Sequence, residues 1–121
     1  MNNVSIYKFE NKAEIRVVEI EGNPWFVAAD VCETLDLASN WNTFRHISED
    51  ERMSLEKRAC PNHVLFQGRT ARLLVLNESG LYKLIMRSDK PEARRFQDWV
   101  TRDVLPAIRK DGASSFLEDR T

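Results

Sequence analysis

Residues 21–35, Glu21-Gly22-Asn23-Pro24-Trp25-Phe26-Val27-Ala28-Ala29-Asp30-Val31-Cys32-Glu33-Thr34-Leu35, change period half-way along. Glu21-Gly22-Asn23-Pro24 carries the chemistry of a tight hairpin, because Gly22 and Asn23 tolerate positive φ and Pro24 has no N–H for an interior ladder. Trp25-Phe26-Val27 then reads as the returning strand. From Ala28 the spacing turns helical: Val27, Val31 and Leu35 fall four apart with Cys32 beside them, which predicts a helix over 29–35 with one buried stripe. A hairpin that runs directly into an amphipathic helix predicts an α+β domain.

Upstream, Val4 to Phe9 alternates with period two and Glu14 to Ile20 is rich in β-branched residues, so two strands joined at Glu10-Asn11-Lys12 complete an antiparallel meander. Downstream, Asp36 to Asn40 interrupts the chain. Trp41, Phe44 and Ile47 then recur three apart, predicting a short helix over 40–47 with those three inward and Asn42, Arg45 and His46 outward. Ser48-Glu49-Asp50-Glu51 has the capping-box pattern, but the stretch on to Asn62 is polar and is expected to be a loop with at most one helical turn. His63 to Phe66 and Ala71 to Leu76 read as a second hairpin around Gln67-Gly68-Arg69-Thr70, its return strand apolar enough to be covered on both faces. Asn77 caps a helix buried through Leu81, Leu84 and Ile85. Pro91 opens another, with a stripe of Ala93, Phe96, Trp99, Val100, Val104, Ala107 and Ile108, in which Pro106 should kink the helix or start a new turn. The expected architecture is one domain over 1–112, a small antiparallel sheet of two hairpin units packed by helices, with 113–121 a polar tail or the start of a linker.

Composition agrees with one such domain: 121 residues, 42% apolar and 31% charged, with three Trp and six Phe to fill a core. The longest uninterrupted apolar run, Trp25 to Ala29, is too short to span a bilayer, and the opening Met1-Asn2-Asn3-Val4 lacks the pattern of a signal peptide. Two Cys make no secreted disulfide framework, so a cytoplasmic protein with free thiols is expected. Residues 1–56 hold 5 basic and 11 acidic side chains (net -6), and 57–121 hold 13 and 8 (net +5), so the net charge of -1 hides opposite fields in the two halves.

Cys60-Pro61-Asn62-His63 has the spacing of half a zinc site, which Cys32 and His46 could complete, but Cys32 sits on a buried stripe and no second close-spaced pair exists. No metal or cofactor is expected. Gly-x-Gly-x-x-Gly, Walker and Gly-x-Ser-x-Gly patterns are missing, the last even around Ser79, and nothing argues for an enzyme. The nucleic-acid signal is stronger. Helices at 29–35 and 40–47 have the outline of a helix-turn-helix, although Asp36 replaces the usual turn glycine; its polar face would offer Asn42 and Arg45, suited to adenine and guanine edges, with His46 beside them. A basic set follows in Lys83, Arg87, Lys90, Arg94, Arg95, Arg102 and Arg109. Arg95, Arg102 and Arg109 are seven apart and should share a helix face, while Arg94 and Arg102 each lie four residues from Asp98 and are candidates for pairing with it.

The ordered set Gly22-Asn23-Pro24-Trp25-Phe26-Val27-Ala28, Asp30-Val31-Cys32, Arg45-His46-Ile47, Asp50-Glu51, Asn77-Glu78-Ser79-Gly80-Leu81-Tyr82, Pro91-Glu92-Ala93, Phe96-Gln97-Asp98-Trp99-Val100 and Val104 to Arg109 resembles the N-terminal domain of the BRO family, found in baculovirus-repeated-ORF proteins and prophage antirepressors. The resemblance covers about residues 5–110. It implies a DNA-associated module of phage or viral gene control, usually followed by a different C-terminal domain. The name antirepressor implies an alternative, a module that sequesters a phage repressor without touching DNA. Trp25 and Trp99 could anchor such a partner, but both also read as core.

Overall fold

The first hairpins close as the sequence predicts in the computed structural model, which describes residues 3–112. Strands β1 (Asn3–Phe9), β2 (Ala13–Ile20) and β3 (Asn23–Val27) form the meander. Ile20 pairs with Asn23, so the two central residues of the turn are Glu21 (φ 52°) and Gly22 (φ 81°), both left-handed as a two-residue hairpin requires. The positive φ therefore falls one residue earlier than expected, and Asn23 already belongs to the strand. Strands β4 (Arg52–Glu56) and β5 (Arg72–Leu76) complete an antiparallel sheet of order β1-β2-β3-β5-β4.

The second hairpin differs from the sequence expectation in its outgoing arm. The strand paired with β5 is Arg52–Glu56, not His63–Phe66. Arg52-Met53-Ser54-Leu55-Glu56 buries only Leu55, and the main-chain ladder of an edge position holds it without an apolar pattern. Leu65 and Phe66 are apolar for a different reason. The Asn62 side chain accepts from the Val64 and Leu65 amides (2.8 and 3.2 Å), folding 62–66 into a turn that presses both residues onto the sheet.

The sheet thus has two cores. On one face Ile15, Val17, Phe26 and Leu76 pack under helices; on the other, Val18, Val27, Leu55 and Val75 pack under Leu65 and Phe66. As expected, β5 is covered on both sides, through Leu76 on one and Val75 on the other. Cys32 lies in the helical core, where burial pushes its thiol up to about 11, whereas Cys60 packs against the opposite core. The four candidate zinc ligands are therefore scattered: among the described residues no three His, Cys, Asp or Glu side chains gather as ligands.

Helix α1 (Ala28–Leu35) ends at Asp36, left-handed at φ 57°, with the Leu37 amide donating to the Cys32 carbonyl at 2.8 Å. Helix α2 is one turn (Trp41–Phe44). Asn77 caps α3 (Glu78–Met86) by accepting from the Gly80 amide at 2.9 Å, and α4 (Pro91–Trp99) has Pro91 at its first position. Beyond it a π turn over Val100–Val104 leads into α5 (Leu105–Gly112). Pro106 supplies no donor and crowds the preceding turn, and of the two expectations, a kink or a new turn, the structure shows the second: a wider π turn, with the Leu105 amide reaching back five residues to the Val100 carbonyl, leads into α5 at Leu105. The tail expectation for 113–121 lies outside the described residues. No helix among those described is long and apolar enough to cross a membrane.

Candidate nucleic-acid interface

The segment expected to be a helix over 40–47 holds its helical form for a single turn. Asn40 caps it, its side chain accepting from the Thr43 amide at 3.2 Å, and Arg45 ends it. Thr43, Phe44 and Ile47 are buried, while Asn42, Arg45 and His46 are exposed together, as the polar face requires. Trp41 departs from the expected inward stripe: it is 60% exposed, because residues three apart on a helix of 3.6 residues per turn step round by about 60°, which leaves the first residue of the turn outside the face that Phe44 buries. The Arg52 guanidinium lies over its ring, 5.1 Å from the centroid, and Arg52 Nε donates to the Ile47 carbonyl at 3.1 Å. With a second helix this short after the five-residue break 36–40, the helix-turn-helix outline is not met in length.

The basic set divides by partner. Lys83 Nζ donates to Glu51 at 2.7 Å, Lys90 pairs with Asp36 at 3.0 Å, Arg95 Nε donates to Glu10 at 2.6 Å and Arg109 approaches Glu78 at 3.6 Å. The hydrogen bond from Arg95 lowers the Glu10 pKa, and the hydrogen bond with Asp36 raises that of Lys90. Arg45, Arg87, Arg94 and Arg102 carry no ion pair among the described residues. The expected pairing of Arg94 and Arg102 with Asp98 is therefore absent. Nor do the three heptad-spaced arginines share a face. Arg95 and Arg102 line a shallow cleft with Phe9, Asp98 and Trp99, but Arg109 lies beside the start of α3. The π turn between them spaces its hydrogen bonds by five residues, which rotates all that follows.

One contact joins the two candidate regions. Glu51 closes the capping box of the 3₁₀ turn Glu49–Glu51 by accepting from the Ser48 amide at 2.9 Å, and it also accepts from Ser79 Oγ at 2.6 Å and from Lys83. These donors, Lys83 foremost, hold its carboxyl well below the usual range, at about 2. The segment carrying Asn42, Arg45 and His46 is thereby fastened along α3, on the side where Lys83 and, one turn on, Arg87 emerge.

Sequence reasoning missed a second anchor. Arg16 of β2 grips Asp30 of α1 with two bonds of 2.9 Å and donates to the Leu65 carbonyl at 2.9 Å, while the Arg16 amide also donates to Asp30. The hydrogen bond to Asp30 raises the Arg16 pKa. Arg16 stands at an alternating position of a strand whose neighbours are apolar, and only its placement opposite a helix start 14 residues away reveals the role.

The profile described as BRO family, N-terminal domain, matches residues 14–106. An uncharacterized protein of Haemophilus influenzae is 32% identical over 108 residues, covering 89% of this chain and 51% of that protein. The Bro-N domain-containing protein 201R of Invertebrate iridescent virus 6 is 33% identical over 119 residues, covering 87% of this chain and 28% of the viral one. Protein 019R of Invertebrate iridescent virus 3, of the same description, is 30% identical over 115 residues and is covered to 28%. The chain thus spans about half the length of the bacterial relative and under a third of the viral ones. No solved structure matches it.

Proposed function

The chain belongs to the BRO family through its N-terminal domain, and from that premise we propose that it is a non-enzymatic, DNA-associated regulatory module of phage or viral type. The observation that supports this reading most is the joint exposure of Asn42, Arg45 and His46 on a short segment whose other side is locked into the core by Thr43, Phe44 and Ile47. Base-reading side chains must project from a rigid support, and the fastening of Glu51 to α3 supplies one. Phosphate attraction falls to the cations without an internal partner, Arg45, Arg87, Arg94 and Arg102, rather than to the whole basic set.

Gel shifts on mixed-sequence DNA over a salt series test this. With about four phosphate contacts, log affinity should fall against log salt with a slope of roughly -3 to -4, and removing Arg87 or Arg94 should flatten it by about 0.9 each. Arg45→Ala should in addition narrow the gap between preferred and random DNA. Absence of binding at low salt sinks the reading.

The protein-binding alternative, capture of a phage repressor without DNA contact, draws on a different observation. Trp41 is 60% and Met86 79% exposed, large apolar side chains of the kind that anchor protein partners. Trp41 replaces Trp25 and Trp99 as the exposed candidate, since both of those are half-buried against the cores. If this alternative holds, Trp41→Ala abolishes capture of the purified repressor and excess DNA does not compete.

A further inference from the structure

We propose that the outer edge of β1 pairs with β1 of a second copy of this chain, antiparallel and two-fold symmetric about Ile6. Strand β1 stands at one end of the sheet and pairs with β2 residue for residue, from Asn3 opposite Glu19 to Phe9 opposite Ala13, with no proline in it. The direction of its main-chain groups follows from Arg16, whose amide donates to Asp30 in the helix that continues β3. Arg16 therefore points away from β1. Since alternate residues of a strand point to opposite neighbours, Ile15, Val17 and Glu19 point toward β1, and their partners Tyr7, Ser5 and Asn3 spend their N–H and C=O groups on β2. Val4, Ile6 and Lys8 direct theirs outward.

The side chains of those same three residues fit a second copy. All three rise from one face of the sheet; Val4 packs against the core under Leu65 and Phe66, while Ile6 next to it is 47% exposed. Symmetry about Ile6 sets Ile6 against Ile6 and Val4 against Lys8, so the exposed isoleucines cover each other and each lysine stem lies over an apolar neighbour. No like charges face one another, because Lys8 is the one charged residue of the strand. Three hydrogen-bonded pairs would give about six interchain main-chain bonds, and the helices of both copies would lie on one face of the joined sheet. The opposite edge is less suited: β4 is five residues long and begins and ends with charged residues, Arg52 and Glu56. A strand contact buries less than the roughly 1,600 Å² of a standard stable interface, so a dissociation constant in the micromolar range is expected.

This inference does not depend on DNA binding. Sedimentation equilibrium of the 121-residue chain over roughly 1–500 μM should show a monomer–dimer equilibrium. Ile6→Lys and Ile6→Glu should each sediment as monomers, and their equimolar mixture should restore the dimer. Amide exchange of the unmutated chain should slow at Val4, Ile6 and Lys8 as concentration rises. A wild-type monomer throughout the range overturns the proposal. So does a dimer that survives both single variants, and a mixture that stays monomeric overturns the register about Ile6.

Discussion

Glu51 ties its own turn to α3 with one side chain, and its protonation has a predictable cost. Its folded pKa of about 2 lies below the ordinary carboxylate value of 4.5, so its stabilising effect is complete above that ordinary value and is lost as pH falls toward 2. The melting temperature of the wild type should drop across that window, and Glu51→Gln should start lower and lose less of it. The capping box that places Glu51 is legible in Ser48 to Glu51, whereas Ser79 and Lys83, 28 and 32 residues away, join it only through the fold. Gly80 is the counterpart on α3. A β-carbon there would stand 2.7 Å from the Glu51 carbonyl oxygen, a main-chain atom that cannot swing aside. Gly80→Ala should destabilise by about 1–3 kcal/mol, measured by urea unfolding, although alanine is the better helix former.

At the level of elements, periodicity revealed what apolar packing decides and missed what main-chain pairing or turn chemistry decides. The stripe that runs from α4 through the π turn is buried where expected at Ala93, Phe96, Val100 and Val104. Trp99 is not fully buried; it leans on Phe9 and Phe96 with ring centroids 5.3 and 5.5 Å away, at the rim of that stripe. Phe96→Ala should therefore cost about 3–5 kcal/mol and Trp99→Ala clearly less, a ranking that calorimetry checks. Strand β4 is not legible in the sequence because an edge strand with one buried residue has no alternation to detect, and 63–66 reads as a strand because Leu65 and Phe66 are apolar. The π turn was foreshadowed only by Pro106. Its consequence for the arginines at seven-residue spacing shows why a helical wheel drawn on sequence alone misplaces one of them.

At the scale of the whole molecule, part of the contrast between an acidic first half and a basic second half is taken up by ion pairs between them. Glu10–Arg95, Asp36–Lys90 and Glu51–Lys83 each join the two halves, so the sequence arithmetic overstated the basic surface left for a polyanion. The exposed Glu10–Arg95 and Asp36–Lys90 pairs should contribute little to stability. Replacing Lys90 by alanine should leave the melting temperature nearly unchanged and, because Lys90 already faces a carboxylate, should flatten the DNA salt slope less than removal of Arg94.

The unequal covering of the sheet has a practical side. One face is roofed by helices; the other is roofed by the irregular stretch 57–71, which carries exposed Lys57, Arg58 and Arg69 around the buried Leu65 and Phe66. Brief trypsin treatment should nick the chain there first, since a protease needs an extended, accessible backbone. The cut falls between β4 and β5, which remain laddered to each other from Arg52–Leu76 to Glu56–Arg72. The two pieces should therefore migrate together under native conditions and part only in denaturant, making this roof a natural place to divide the domain into complementing fragments.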